Sequence, residues 1–454
     1  MTLNNATHEF LTASPTLYSL DGAAWPLPDI SLAPNLNTAL RLSELIAKSE
    51  DRGRFHEGSI VVSFNGEPMS LGAQLTVSDV QHGLSFDMGP PKPFKSSTLE
   101  GLWWSIDRKT KGQVVLCNTT NQGLGIQINL EWQGHVIPAR VLSLSAHQTI
   151  VLEIEDLLKQ LDIKAKGIES GGISISHSGA PGALIAHGVV QNKEAHFASN
   201  LRFIDPAAQN GSVLNGTGLM VAHPAAGAVF PNTFFFTPHL ALKNASPSIQ
   251  TATVTVQYTT GGEFHFQTLP VINLAPHEVR MVDFSALLSS LKDASVDDAG
   301  VKIESSSAPG SLIAQMTSID QEGAMCIDVP LAAFPPGSIG TGAHPFHLDG
   351  DSQAVLHLKN LDTQPTTAII QVLYDNGEFS PELVKLGSEE SVAINLRHLR
   401  DSQGRDVHGH RLPSTLTQGQ VQWFQHGKQS VIGRMVMSSV SLGVSANFSC
   451  GGVC

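Results

Sequence analysis

Charge is scarce in this chain. Asp, Glu, Lys and Arg make up 15% of its residues and aromatic residues only 6%. No window of about 18 apolar residues occurs, which is the run a membrane-crossing helix requires, so no membrane span is expected. No Lys/Arg-rich run occurs either, and 40 acidic residues outweigh 27 basic ones for a formal charge of −13. Nucleic acid and anionic membranes both demand a basic footprint, so neither is an expected partner. The first 25 residues lack a basic start followed by an apolar block, and no signal peptide is visible. HExxH, GxSxG, Walker A and CxxC are all missing. The "GTG" at 216–218 and at 340–342 has no third glycine to complete a dinucleotide loop. No cofactor is expected.

Cysteine is sparse too, with four residues, too few for a disulfide scaffold of this length. Cys117, inside "VVLCNT", reads as a small buried hydrophobe. Cys450 and Cys454, in "SCGGVC", suit a tight local disulfide or free thiols better than a metal site, because zinc takes four ligands.

What is present is apolar and rich in turns. Hydrophobic residues are 41% of 454, enough for three or four domain cores, and 41 Gly with 25 Pro favour many short strands. One apolar phrase recurs: "MSLGAQLT" (69–76), "PGALIAHG" (181–188), "PGSLIAQM" (309–316) and "QSVIGRMV" (429–436). It is the last of several anchors that repeat in one order. An Asn ends a short strand at Asn5, Asn118, Asn244 and Asn360, spaced by 113, 126 and 116 residues. A hairpin glycine follows at Gly22, Gly134, Gly261 and Gly377. A strand then ends near Leu32, Leu144, Leu274 and Leu386, and short helical pieces carry Leu42/Leu45, Ile154/Leu157, Phe284/Leu287 and Leu396/Leu399. A glycine opens the next strand at Gly58, Gly172, Gly300 and Gly419. The period exceeds that of a solenoid repeat and matches a whole small domain.

Between anchors the pattern alternates with period two. "TATVTVQYTT" puts Val254, Val256 and Tyr258 on one face and Thr253, Thr255 and Gln257 on the other, as a half-buried strand does. The expected fold class is all-β: four tandem immunoglobulin-like β-sandwich domains at 1–95, 96–210, 211–340 and 341–454. The apolar, Pro-containing stretches between them, 211–232 and 329–351, predict stiff junctions and a rod.

Candidate chemistry is thin. His408 and His410 share one side of an extended "HGH" with Asp406 nearby, and "HPFHLDGD" offers His344, His347, Asp349 and Asp351. Neither group shows a full ligand set, so plain loops are the simpler reading. His177 and His426 fall at matching hairpin positions, where the third copy has Ser, which suits surface variation. Trp103 and Trp104 are adjacent on a strand and so face opposite sides; one is expected in the core and the other could stack on a sugar or line an interface. Asn5, Asn118, Asn215, Asn244 and Asn447 each begin an Asn-x-Ser/Thr triplet, and the preferred reading is a turn Asn rather than a glycan acceptor.

The grammar "LKN…GGEF…LAP…GSLIAQ" resembles the tandem immunoglobulin-like repeats of large uncharacterised secreted or surface proteins of soil bacteria. The resemblance covers all four copies and carries no catalytic residues. It implies a location outside the cell or on its surface, a structural or adhesive role, and further β domains beyond the Cys pair. One detail sharpens this. The fourth copy has "HPFHLDGDSQAVL" before its Leu-Lys-Asn and the third has "TFFFTPHLA", whereas the first has only Met1 and Thr2 before Leu3. The first domain is therefore expected to lack its opening strand and to expose a sheet edge, which a strand from another chain could fill to build filaments. The expected partners are other copies of the protein or a cell-surface glycan. Two further readings stand beside this one: a non-catalytic carbohydrate-binding region of a secreted polysaccharide-degrading enzyme, and an enzyme with Asp, Glu and His clustered around 344–351 and 406–410.

Overall fold

Alternating patterns become strands with one face in a core. Gln250–Thr260 buries Ala252, Val254 and Val256 and turns Thr251, Thr253 and Thr255 away. Leu11–Ser19 does the same with Leu11, Ala13 and Leu17, and Thr366–Tyr374 with Ala368, Ile370 and Val372. The computed structural model describes the chain except residues 35, 49–54, 69, 83, 90–93, 106, 108, 133, 164–169, 226–229, 322–324, 335–338, 376 and 450–454. Strands occupy 55% of it and helices 7%, so the protein is all-β.

The same pairing order recurs along the chain. In one kind of sheet, the Asn-ended strands Thr2–Asn5, Lys111–Asn118, Phe236–Asn244 and Gln353–Asn360 are central. On one side each pairs with a short outer strand: Asn37–Ala39, Thr149–Glu153, Val279–Met281 or Ser391–Asn395. On the other it pairs with the strand of the recurring octet: Leu71–Asp79, Leu184–Asn192, Leu312–Asp320 or Val431–Ser439. Beyond the octet strand lies a last one, here called axial: Leu84–Met88, Phe197–Arg202, Cys326–Val329 or Val444–Ser449. The facing sheet is built on the hairpins that begin at Leu11–Ser19, Leu124–Trp132, Gln250–Thr260 and Thr366–Tyr374. Each hairpin pairs with a Gly-led strand: Gly58–Phe64, Ser170–His177, Asp298–Ser305 or Gln418–Gln425. The short helices Leu42–Lys48, Ile154–Gln160, Ser285–Ser290 and Leu396–Asp401 carry the chain from one sheet to the other.

The recurring Asn holds the two sheets together. All four side chains are fully buried. Asn118 Nδ2 donates to Gln122 O and Ser145 O at 2.7 and 2.8 Å, while its Oδ1 accepts from the N–H and hydroxyl of Thr120. Asn5 and Asn244 repeat this with Thr7 and Ser246. At Asn360, where no hydroxyl stands two residues on, Ser430 Oγ supplies the bond at 2.9 Å. The Asn-x-Ser/Thr triplets at these three sites are thus folded turns whose amides are already used.

The octet has a packing cause. Its small residue is Ala73, Ala186, Ala314 or Gly433. A Cβ at Gly433 would come 2.4 Å from the indole nitrogen of Trp423, which fills the place that Ile175 and Ile303 hold in their own sheets.

The expected rod is not what the chain forms. Four successive contacts close a circuit. Thr149 N donates to Leu20 O. Asn200 donates to Asp328 through its backbone and side-chain nitrogens at 3.0 and 2.6 Å. Ser445 Oγ donates to Cys326 O at 2.8 Å. Finally Ser85 Oγ donates to Ser445 O, and Asn447 N to Asp87 Oδ2, across 360 residues of sequence. The four axial strands meet in this order. The junction sequences are apolar, as read, but buried polar groups on the axial strands bend the series back on itself.

Candidate functional site

One strand edge differs from its counterparts. The Gly-led strands Ser170–His177, Asp298–Ser305 and Gln418–Gln425 each pair on their outer edge with an opening strand: Thr98–Trp104, Val213–Thr217 and Thr341–His347. Among the described residues, no strand pairs with the outer edge of Gly58–Phe64. The register equates Ile60, Val62 and Phe64 with Ile173, Ile175 and His177, since Leu17 faces Ile60 as Leu130 faces Ile173. His177 N–H donates to Ser97 O beyond its sheet's edge, so the N–H groups of Ile60, Val62 and Phe64 point toward the open side. Ile173 and Ile175 are 0% exposed, as are Val301 and Ile303, whereas Ile60, Val62 and Phe64 are only half-buried.

In the later copies the opening strand is covered in turn by the next sheet pair. Thr98–Trp104 lies against Phe236–Asn244 and Leu312–Asp320, and Val213–Thr217 against Gln353–Asn360 and Val431–Ser439. The residues so covered, Ala241, Lys243 and Ile313, then His357, Lys359 and Ile432, are buried. Their counterparts Val115, Cys117 and Ile185 are only half-buried. The first sheet pair is thus left with an unpaired strand edge whose core-facing residues Ile60, Val62 and Phe64 are incompletely covered. That edge offers backbone donors and acceptors in a row beside these apolar side chains, which is what an added strand requires.

The residues singled out in the sequence lie elsewhere. Trp103 and Trp104 are both buried, at 6% and 3% exposure. Trp104 stacks on Phe197 and on His239, because the outer face of its strand packs on the next sheet pair; of the two roles open to an outward indole, the structure places it in a contact between sheet pairs. The His408–His410 loop is shaped by Asp406, whose Oδ1 accepts both backbone N–H groups at 2.9 and 2.7 Å. Asp351 takes Ser439 Oγ and Ser441 N, and Asp349 is exposed. Among the described residues, no three His, Cys, Asp or Glu side chains gather in metal-binding geometry, so these candidates are not brought together. Cys450 and Cys454 lie outside the described residues. His177 is buried rather than a surface variation, with its Nδ1 unpartnered.

Sequence reading missed the buried charges at the junctions. Lys243 Nζ donates to Glu100 Oε2 at 2.5 Å, reaches Glu131 Oε2 at 2.9 Å and donates to Ile173 O at 3.2 Å. Lys359 makes the corresponding bond to Val301 O at 2.9 Å, but Asn215 and Gln257 hold the register positions of Glu100 and Glu131. Burial pulls the Lys359 ammonium down to about 7. Next to it His357 Nδ1 meets Asp298 Oδ1 at 2.8 Å in the wall of a cavity of about 210 Å³, also lined by Leu219, Phe230, Phe236 and Val355. Arg434, fully enclosed, donates to Thr217 O and Gly218 O at 3.0 and 3.2 Å, and also to Asp328 O and Asn447 Oδ1. A lysine inside the apolar strand "LALKN" or "AVLHLKN" was the available signal, because an ordinary core strand excludes it.

Comparison with known proteins adds little. No family model matches the chain, and no curated protein matches it. One solved structure, described as the triple jelly roll fold and turret assembly in an archaeal virus, is similar over 78% of this chain and 87% of that one, at 8% identity and a TM-score of 0.14. A likeness of that size carries no argument about this protein.

Proposed function

We propose that the chain is four tandem immunoglobulin-like β-sandwich domains, 1–95, 96–210, 211–340 and 341–454, serving outside the cell as a structural or adhesive protein. It works by binding rather than by catalysis, and it joins its partner by strand addition along Gly58–Phe64. The observation that carries this reading is the open edge, with Ile60, Val62 and Phe64 half-buried where their counterparts are sealed. The extracellular setting follows from the resemblance of the repeat grammar. With both tryptophans buried, no observation favours the carbohydrate-binding alternative.

The test pairs sedimentation of the purified chain across a concentration range with its binding to cell-surface fractions, for the natural chain and for Val62→Pro. Proline at 62 removes a donor from the open side and leaves the ladder to Leu11–Ser19 intact, since Val62 already faces Pro15 there. The natural chain is expected to self-associate or to bind the surface fraction, and the variant to do neither. A natural chain that stays monomeric and binds no fraction, or a variant that behaves identically, would defeat the reading.

A further inference from the structure

We infer that Lys243 and Glu100 close an amide bond between their side chains, with Glu131 as the catalyst. This stands apart from the strand-addition reading and needs none of it. Three groups meet in one dry site. The side chain of Lys243 is 0% exposed, that of Glu100 11% and that of Glu131 2%. Lys243 Nζ donates to Glu100 Oε2 at 2.5 Å. Glu100 Cδ, one C–O bond further, therefore lies within about 3.7 Å of the nitrogen, near the ~3–3.5 Å of a reactive pair. Gly101 O and Ile173 O accept from Nζ at 3.1 and 3.2 Å and hold it in place. Glu131 Oε2 stands 2.9 Å from Nζ and receives no hydrogen bond, which leaves a lone pair ready for a proton. Glycine at 172 makes room for this arrangement, because a Cβ there would lie 2.8 Å from Glu131 Oε2 and 3.1 Å from Lys243 Cε.

Two carboxyls share one ammonium, so full ionisation keeps three charges out of water with one left over, a costly state. Proton transfer from Nζ to Glu100 leaves an amine, an acid and a single carboxylate on Glu131. Burial raises the Glu100 carboxyl, Lys243 opposes it, and Glu131 adds to the rise. The amine's lone pair attacks Glu100 Cδ and a C–N bond forms. Glu131 takes the proton that Nζ sheds and passes it to the departing hydroxyl, the C–O bond breaks, and water leaves. Glu131 ends as the carboxylate it was, and no oxidant or co-reactant is consumed. Fixing both reacting groups in a folded core supplies the high effective concentration that condensation demands. The bond joins residues 143 apart and ties Thr98–Trp104 to Phe236–Asn244 of the next sheet pair. Lys359 is the contrast within the chain. Asn215 and Gln257 hold the register positions of Glu100 and Glu131 there, and neither amide relays a proton as a carboxyl does, so Lys359 stays a free amine.

The test is the intact mass of the purified full chain under denaturing conditions, followed by a tryptic map. The mass is expected to fall about 18 Da, one water, below that of the sequence. Trypsin is expected to leave Lys243 uncut and to release peptide 96–108 joined to 203–280 as one branched species. Glu131→Gln keeps Lys243 and Glu100 but removes the proton relay. Its chain is expected to show the full mass and ordinary cleavage after Lys243. Full mass with ordinary cleavage in the natural chain would overturn the inference. So would a loss of water that maps to any other site, including peptide 112–140 with its Glu131, or a joined pair that persists in Glu131→Gln. The map of the natural chain decides by itself if that variant does not fold.

Discussion

Two lysines at equivalent places have opposite energetic roles. Lys243 neutralises two buried carboxylates, and removing one partner of such a group strands the others in low dielectric. Lys243→Met is expected to destabilise the chain by roughly 3–5 kcal/mol. Lys359 donates to a carbonyl instead, and burial, which outweighs the more distant Glu389 and Asp298, favours its uncharged form. The folded chain gives up this proton near pH 7, whereas the unfolded chain holds it to its ordinary 10.5. Stability from this group therefore rises as pH goes from about 7 to 10.5. Lys359→Met is expected to stabilise the chain by about 2–4 kcal/mol at pH 7 and to remove that rise. Urea unfolding at pH 7 and 9 checks both, and two variants that shift in the same direction would contradict the distinction. The Asn that stitches the sheets is a second test at this scale. Asn244→Ala leaves three carbonyls and a Ser246 N–H without their partner, and about 2–4 kcal/mol of loss is expected in the same unfolding experiment.

At the scale of elements, the octet strand and the Gly-led strand exchange volume across the core. Trp423 projects over both Gly342 and Gly433, where a Cβ would lie 2.6 and 2.4 Å from its indole nitrogen. Gly433→Ala alone overpacks this core, and a cost of about 2–3 kcal/mol is expected. In a Trp423→Ile background, which restores the residue found at 175 and 303, the same alanine is expected to cost under about 1 kcal/mol. A double-mutant cycle with no coupling would show that the glycine answers to something else. The sequence made these elements readable because strand alternation, hairpin glycines and the buried Asn are local signals. Gly22, Gly134 and Gly261 do take positive φ in their turns. Pro15 shows the limit of such signals. It sits in a central strand, which its missing N–H argues against, yet its gap falls where the neighbouring strand breaks between Ala24–Pro26 and Ile30–Leu32. Trp104 shows it too: alternation sends one indole outward, and only the next sheet pair's His239 reveals that outward is also inside.

At the scale of the whole molecule, closure was not legible, because it depends on groups that carry no periodic signal. Asp87 and Asn447 lie 360 residues apart, and each sits on an ordinary short strand. Together with the Asp328–Asn200 pair they form two similar latches between neighbouring axial strands. The first latch carries a strained ionisation. Burial pushes the Asp87 carboxyl up to about 6, although Asn447 N and Thr76 Oγ1 both donate to it. In the unfolded chain the same group releases its proton near 3.8. Between these values the folded form alone stays protonated, so the contribution is full below about 3.8 and is lost as pH rises through 6. Above pH 6 the ionised latch weighs against closure by roughly 3 kcal/mol. Asp87→Asn keeps an acceptor for Asn447 N and cannot ionise. It is expected to flatten the stability profile between pH 4 and 6.5 and to raise stability at pH 7 by up to about 3 kcal/mol, measured by urea unfolding across that range. A variant that retained the natural slope would place the titrating group elsewhere, and one that lost stability at every pH would show that the carboxylate, not merely an acceptor, holds the first and fourth sheet pairs together.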